Sequence, residues 1–398
     1  MTDLMREVSG HIDPEWIATH TEALCRIRSE TLDEAAVCTA YAKELEALGL
    51  QVVRRQVTPG RDNLYACVPS AGGGPSLALN GHLDTIPIGE AWPFRREGDR
   101  LHARGAEDMK GPMVSLLAML RGLQRAGVRL KGDLWITAVV GHEEASAAKD
   151  GPLAFCDDVN AGQVRADRIL IVEGDADPWI MSMGSANFVI TLHSPLGGTH
   201  TNYVPFEQNP IRFMGDFIAA VARRQAELNA TTHHGLAGSE RIDIATATAG
   251  DHYNRTPGTV TFVGTRRWLP DKTEADIRAE LEELIRPIAQ AGELTWQLRL
   301  EQAREPFETA PTDPLVKATC RAAEQVQGRP PKLLGRRLVG DANYYVQRTG
   351  VPTIYYGPGG TSAHADDEWV SLNALVRAAQ VYALTAMDFC GVEASAKP

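Results

Sequence analysis

The stretch Ser76-Leu77-Ala78-Leu79-Asn80-Gly81-His82-Leu83-Asp84 decides how this chain of 398 residues is read. Its first five residues form an apolar run of strand length, and its end delivers an imidazole and a carboxylate one residue apart. Upstream, Asp13-Pro14-Glu15 has the form of a helix N-cap with proline in the first turn. A second helix is predicted over 34–48, ending at Gly49, and strands over 50–57 and 63–68. Downstream, 111–126 reads as a helix, and 133–140 and 168–172 as buried apolar strands. Strands that are apolar on both faces, alternating with helices, predict an α/β domain with helices on both sides of the sheet.

The pattern changes near Gly184. Strand 187–192, helix 210–227, strands 242–249 and 259–267, helix 272–288 and strand 294–300 follow in the order β-α-β-β-α-β. That order is the ferredoxin-like module. In the second of those helices, Ile277, Leu281, Leu284 and Ile285 share one face. Helix 313–327, strand 352–356 and helix 372–386 then resume the α/β pattern. The expected organisation is therefore a catalytic domain in two parts, 1–183 and 303–398, with 184–302 inserted between them.

The chemistry-bearing residues share a position relative to these strands. His82 and Asp84 follow strand 76–80, Glu143 and Glu144 follow 133–140, Glu173 follows 168–172, and His364 follows 352–356 after a glycine-rich loop containing Gly359 and Gly360. In open α/β sheets, ligands bind outside the carboxyl ends of the strands. Asp108 joins the set from the loop Arg104-Gly-Ala-Glu-Asp-Met-Lys-Gly111. Two imidazoles and several carboxylates, with no thiolate, suit Zn²⁺, Co²⁺ or Mn²⁺ in a catalytic site. With Asp108, Glu144 and Glu173 as anionic ligands, one divalent ion leaves the site at −1. Two ions leave +1, which a bridging hydroxide neutralises, so a metal pair balances better. Extended geometry puts His82 and Asp84 on the same side. That predicts the Asp84 carboxylate as acceptor for the second His82 N–H.

Composition narrows the partners. Lys plus Arg is 40 and Asp plus Glu is 51, for a formal charge of −11, which argues against nucleic acid and anionic membrane surfaces. Met1–Glu15 has no apolar h-region, and no run reaches the roughly 18 apolar residues of a membrane span. Cys25, Cys38, Cys67, Cys156, Cys320 and Cys390 form no C-x-x-C, which points to reduced thiols in a cytoplasm.

Taken together, these segments resemble the M20 metallopeptidase family, which includes carboxypeptidase G2, aminoacylases and succinyl-diaminopimelate desuccinylase. The resemblance is carried by Asn80-Gly-His-Leu-Asp-Thr-Ile-Pro87, Trp92-Pro-Phe94, Arg104 to Gly111, Glu143-Glu144, Glu173, Gly340-Asp-Ala-Asn343 and His364-Ala-Asp-Asp-Glu368, and it spans essentially the whole chain. It implies a zinc-peptidase-like α/β catalytic domain with an inserted ferredoxin-like lid that makes a homodimer. It also implies two divalent ions, Zn²⁺ first, with Co²⁺ or Mn²⁺ as alternatives. By resemblance Asp108 bridges the ions, His82 and Glu173 complete one site, and Glu144 and His364 the other. Glu143 is the implied general base, Asp84 the orienter of His82, and Asp108–Met109 a candidate cis peptide.

In the lid, His200 fits the histidine that reaches a neighbouring active site and donates to the oxyanion. Asn254 and Arg267, favoured over Arg266, fit the segments that hold a substrate carboxylate, with Gly359 and Gly360 on the catalytic side. The implied reaction is hydrolysis of an amide bond in a small carboxylate-bearing N-acyl amino acid or peptide-like substrate. Hydrolysis of a ureido or aromatic-amine C–N bond is the alternative, and a non-catalytic dimeric binding protein a further one. Some residues depart from the family pattern. Val140-Gly-His-Glu-Glu-Ala-Ser146 has His142 where an Asp usually precedes the paired glutamates, and lacks the Gly that usually follows them. Glu at 173 resembles the carboxypeptidase and deacylase members more than the aminopeptidases.

Overall fold

A computed structural model of the protein describes residues 3–89 and 93–393. Trp92 of the Trp92-Pro-Phe94 motif lies outside the described residues. The chain divides into two compact units, one of 1–180, 309–334 and 344–398 and the other of 181–308 and 335–343. These seams differ from the expected 183/184 and 302/303. The last long strand of the second unit, Thr295–Arg304, runs past 302, and Phe307 and Glu308 then pair with Ser182 and Met181. Residues 335–343 also group with the second unit, where Asn343 Nδ2 donates to the carbonyls of Met183 at 3.3 Å and Glu305 at 2.7 Å.

The sheet of the first unit runs Val52–Thr58, Arg61–Val68, Leu134–Val139, Leu77–His82, Arg168–Ile171, Thr353–Tyr355, Trp179–Ser182. The middle four strands, from Leu134–Val139 to Thr353–Tyr355, are mutually parallel. All four therefore end at the same rim. Leu77–His82 is buried along its whole length, as its continuous apolar run predicts. A Cβ on Gly81 would lie 2.5 Å from Met113 Sδ, so helix Lys110–Arg125 can approach this strand only because position 81 has no side chain. Helix Leu372–Cys390 packs on Lys110–Arg125 and on Pro314–Gln327. Asp13 caps helix Pro14–Cys25 as expected, accepting from the amides of Glu15 and Trp16.

Three helices, Asp150–Asn160, Asp341–Thr349 and Asp3–Gly10, have no counterpart in the sequence reading. Ala148 and Lys149 enter the first with φ of 51° and 58°, and Gly151-Pro152 sits in its first turn. Residues that usually mark a turn thus conceal a helix start.

The second unit has the predicted ferredoxin-like order. Its sheet runs Arg241–Ala249, Thr259–Trp268, Gly184–His193, Thr295–Arg304, all antiparallel, with helices Pro210–Thr231 and Glu274–Ala291. Thr273 and Asp276 form a capping box on the second helix, whose Ile277, Leu281 and Ile285 are fully buried against Phe188, Ile190 and Trp268. Leu284, read as part of the same face, is only partly buried.

The same core encloses a charged group. Arg266 is fully buried, with Nη2 2.5 Å from Glu240 Oε2 and 2.8 Å from Glu280 Oε2. Lys272 Nζ lies 2.8 Å from Glu240 Oε1. Arg266→Ala would leave the fully buried Glu240 without its guanidinium partner. The expected cost is about 3–5 kcal/mol, the usual penalty for breaking a buried pair, read as a lowered urea midpoint.

Candidate active site

The shared rim of the four parallel strands carries the residues singled out from the sequence. His82 closes its own strand, and its Nε2 lies 3.0 Å from Asp108 Oδ1. His364 Nε2 lies 3.4 Å from Asp108 Oδ2 and 3.0 Å from Glu143 Oε2. The two oxygens of Asp108 thus face two different imidazoles, as a bridging carboxylate requires. The Asp108–Met109 peptide is cis. Ligand atoms of His82, Asp108 and Glu143 lie within 4.8 Å of one another, and so do those of His82, His142 and Glu173. Glu144 belongs to neither group among the described residues, and it is Glu143 that touches His364.

The electrostatics are those of a site with an excess of negative charge. Burial disfavours the charged form of His82, but Asp108, Asp84 and Glu143 outweigh it and hold the ring's pKa well above its ordinary value. Asp108 and Glu143 push His364 up to about 10. Burial would raise the pKa of Asp108, yet His364 and His82 pull it below the ordinary carboxylate range. These carboxylates thus favour positive charge at both imidazoles, as they would favour bound cations. Glu143 Oε1 is buried with no hydrogen-bond partner among the described residues. A donor set of imidazoles and carboxylates with an orphaned buried oxygen fits divalent cations.

Asp84 plays a different part from the one expected. His82 Nδ1 lies 2.9 Å from the main-chain carbonyl of Asp84 but 3.6 Å from its Oδ1. The carbonyl, not the carboxylate, orients the ring. The fully buried carboxylate instead accepts from the main-chain N–H of His142 at 3.0 Å and of Glu143 at 2.9 Å, and from Thr31 Oγ1 at 2.7 Å. Thr31 Oγ1 in turn accepts from the Glu144 N–H at 3.3 Å. Three successive amides of the loop that carries the paired glutamates are therefore held by one carboxylate and one hydroxyl. Thr31→Val would remove a donor to Asp84 and the acceptor for Glu144. The expected loss is about 1–3 kcal/mol of stability with a lowered kcat, measured by thermal unfolding and initial rates, and Thr31→Ser should behave as wild type.

Glu368 is a functional residue the sequence reading left without a role. It is 1% exposed. Its Oε2 accepts from Arg104 Nη1 at 2.7 Å and the Gly105 N–H at 3.1 Å, and its Oε1 from the N–H groups of Glu107 at 2.9 Å and Asp108 at 3.0 Å. It therefore fixes the loop that presents Asp108. The one available signal was its place four residues after His364. Gly360 lines a cavity of about 110 Å³ with Asp108 and Glu173, and a Cβ there would lie 2.3 Å from the Glu107 carboxyl carbon. Gly359, with φ of 75°, is not part of that lining.

In the second unit, His200 and Asn254 come together. His200 Nδ1 accepts from the Asn202 N–H at 3.2 Å. Asn254 Nδ2 lies 3.3 Å from His200 Nε2, and Asn254 Oδ1 lies 2.7 Å from His252 Nδ1. Arg267 donates to the Arg337 carbonyl. Burial and then Arg241 lower its pKa, and among the described residues it has no carboxylate partner. Arg266 is committed to Glu240 and Glu280, so Arg267 is the better candidate for a substrate carboxylate.

Comparison with known proteins places this geometry. The model of peptidase family M20/M25/M40 matches residues 78–388. A succinyl-diaminopimelate desuccinylase of Methylorubrum extorquens (strain PA1) is 30% identical over 384 residues, covering 91% of this chain and 95% of that protein. Aminopeptidase PepT from Bacillus cereus superposes with a TM-score of 0.82 at 19% identity, over 96% of this chain and 100% of its own. The YXEP protein of Bacillus subtilis, described as a dinuclear metal binding peptidase, superposes with a TM-score of 0.68 at 16% identity, over 94% and 97%. With a matching sequence over most of its length and the fold of these enzymes, the chain belongs to peptidase family M20/M25/M40.

Proposed function

We propose that this enzyme hydrolyses the amide bond of a small N-acyl amino acid or peptide-like substrate bearing a free carboxylate. The observation that carries the reading is the gathering of His82, Glu143, Glu173 and His364 from four strand ends around Asp108 in a chain of this family. Acyl amino acid chemistry is favoured by the desuccinylase relative, which matches over nearly the full length of both chains. His82, Asp108 and Glu173 would hold one divalent ion, and Asp108, Glu144 and His364 another, with Zn²⁺ as the expected metal. Bound there, the ions supply an acidified water and a Lewis acid for the scissile carbonyl.

The protein's own groups do the rest. Glu143 accepts the proton of the attacking water and returns it to the leaving nitrogen, so that a C–O bond forms, the C–N bond breaks, and a carboxylate and an amine result. Thr31 and Asp84 hold its loop, and Glu368 holds that of Asp108. Arg267 and Asn254 bind the substrate carboxylate, and His200 stabilises the developing oxyanion from a partner subunit. Exposed Ile211 and Ile218 on helix Pro210–Thr231 support a homodimer through the second unit. Scattered cysteines with no C-x-x-C support a cytoplasmic setting, and among the described residues no helix is long and apolar enough to cross a membrane.

A panel of N-succinyl, N-acetyl, dipeptide, ureido and aminoaromatic substrates, each with Zn²⁺, Co²⁺ or Mn²⁺, tests the reading. Turnover of N-acyl amino acids or dipeptides is expected. Turnover confined to ureido or aromatic-amine substrates would replace the amide reading, and no turnover of any would defeat it. Mixed dimers of His200→Ala and Glu143→Ala subunits should recover partial activity if His200 acts across the interface.

A further inference from the structure

His142 has no part in the reaction described so far, yet it faces the site. Its ring lies parallel to that of His82, with centroids 4.1 Å apart and planes 4° from parallel. One of its nitrogens, one of His82 and a carboxylate oxygen of Glu173 lie within 4.8 Å of one another. Donors bonded to one ion at about 2.0–2.2 Å can be no more than about 4.4 Å apart. Three mutually equidistant donors on one ion are at most about 3.8 Å apart, so a closure of up to about 1 Å brings all three to a single ion. A turn of the His142 ring about its side-chain bonds would supply that closure.

The main chain at this position is well anchored. The His142 N–H donates to Asp84 Oδ1 at 3.0 Å, and its carbonyl accepts from Lys149 Nζ. The ring is thus delivered to the site by the same latch that holds Glu143.

We propose that His142 is an additional ligand of the ion held by His82 and Glu173. That ion then has two imidazoles, and the ion at His364 has one. The proposal rests on the dinuclear reading above. Two imidazoles favour Zn²⁺, Co²⁺, Ni²⁺ or Cu²⁺ over Mn²⁺ and Mg²⁺, so the two positions differ in metal preference.

The test uses the full-length protein stripped of metal and titrated with Zn²⁺, Mn²⁺ or Co²⁺. Bound ions are counted by mass spectrometry of the metal, and the Co²⁺ absorption spectrum reports the ligands. Wild type is expected to take up two ions. In His142→Gln, one ion should be weakened by at least about 10–100-fold, the loss typical of even an outer partner of a ligand. The other should keep its affinity, and the Co²⁺ spectrum of only one site should change. His142→Asp, which offers a carboxylate in place of the imidazole, should bind two ions with the Zn²⁺ over Mn²⁺ preference reduced, and it carries the test if the Gln variant does not fold. Two ions bound by both variants with wild-type affinities, metal preference and Co²⁺ spectra would overturn the ligand assignment alone. Failure of wild type to bind a pair of ions would overturn the dinuclear reading and this proposal with it.

Discussion

Replacing Glu143 by Gln is expected to lower kcat by about 10²–10⁴-fold, the range for loss of a general base, while both metal ions stay bound. The side chain is 4% exposed, with Oε2 at 3.0 Å from His364 Nε2 and Oε1 without a hydrogen-bond partner among the described residues. Gln has the same shape and the same tie to the Asp84 carboxylate through its main-chain N–H. What it lacks is an oxygen able to take a proton. The effect should fall on kcat, with little change in KM, because a base is used only in the transition state. Initial rates, together with the metal content of the purified variant, decide the matter. A near-native rate, or loss of an ion with the rate, would show that Glu143 is a ligand or a bystander.

Glu368→Ala should be the most damaging single change to the first unit, costing about 3–5 kcal/mol. Its carboxylate serves four donors, among them the guanidinium of Arg104, which is itself 4% exposed. Burial raises the pKa of this acid, and the amides of Asp108 and Gly105 with Arg104 pull the other way. Ala would strand a buried cation and three main-chain N–H groups together. The loop bearing Asp108 would then lose its anchor, so metal affinity should fall with stability. Glu368→Gln keeps one acceptor oxygen and should lie between the two. Urea unfolding and metal titration measure both effects, and a midpoint shift worth less than about 1 kcal/mol would refute the anchoring role.

The parts of this site legible in the sequence are those set by strand polarity. His82, Glu173 and the Glu143-Glu144 pair each follow an apolar strand, so one rule about sheet edges places them together. The alternation of Gly184–His193 and Thr259–Trp268 likewise announces a half-buried sheet before any contact is known. What stays hidden are bonds to the main chain across long separations. Glu368 grips amides some 260 residues away, and those amides belong to no residue type in particular. Asp84 is the instructive failure, because H-x-D spacing says which groups are near but not which oxygen wins. The carbonyl reaches His82, and the carboxylate is drawn off by two amides and Thr31. His142 is concealed for a related reason, since face-to-face contact with His82 depends on the turn between strand and loop.

The parallel pairing of Arg168–Ile171 with Thr353–Tyr355 has a consequence for synthesis. The first of these strands leaves the ribosome about 180 residues before its neighbour. At about 5–20 residues per second the gap lasts roughly 9–36 s. During that time the nascent sheet holds an open parallel edge of apolar residues, the kind that recruits foreign strands. The intervening ferredoxin-like segment can meanwhile fold by itself, since its four strands pair only with one another. Newly made chains should therefore be most prone to aggregate while the insertion is being translated, and the rim that holds the catalytic groups closes only when the last hundred residues arrive.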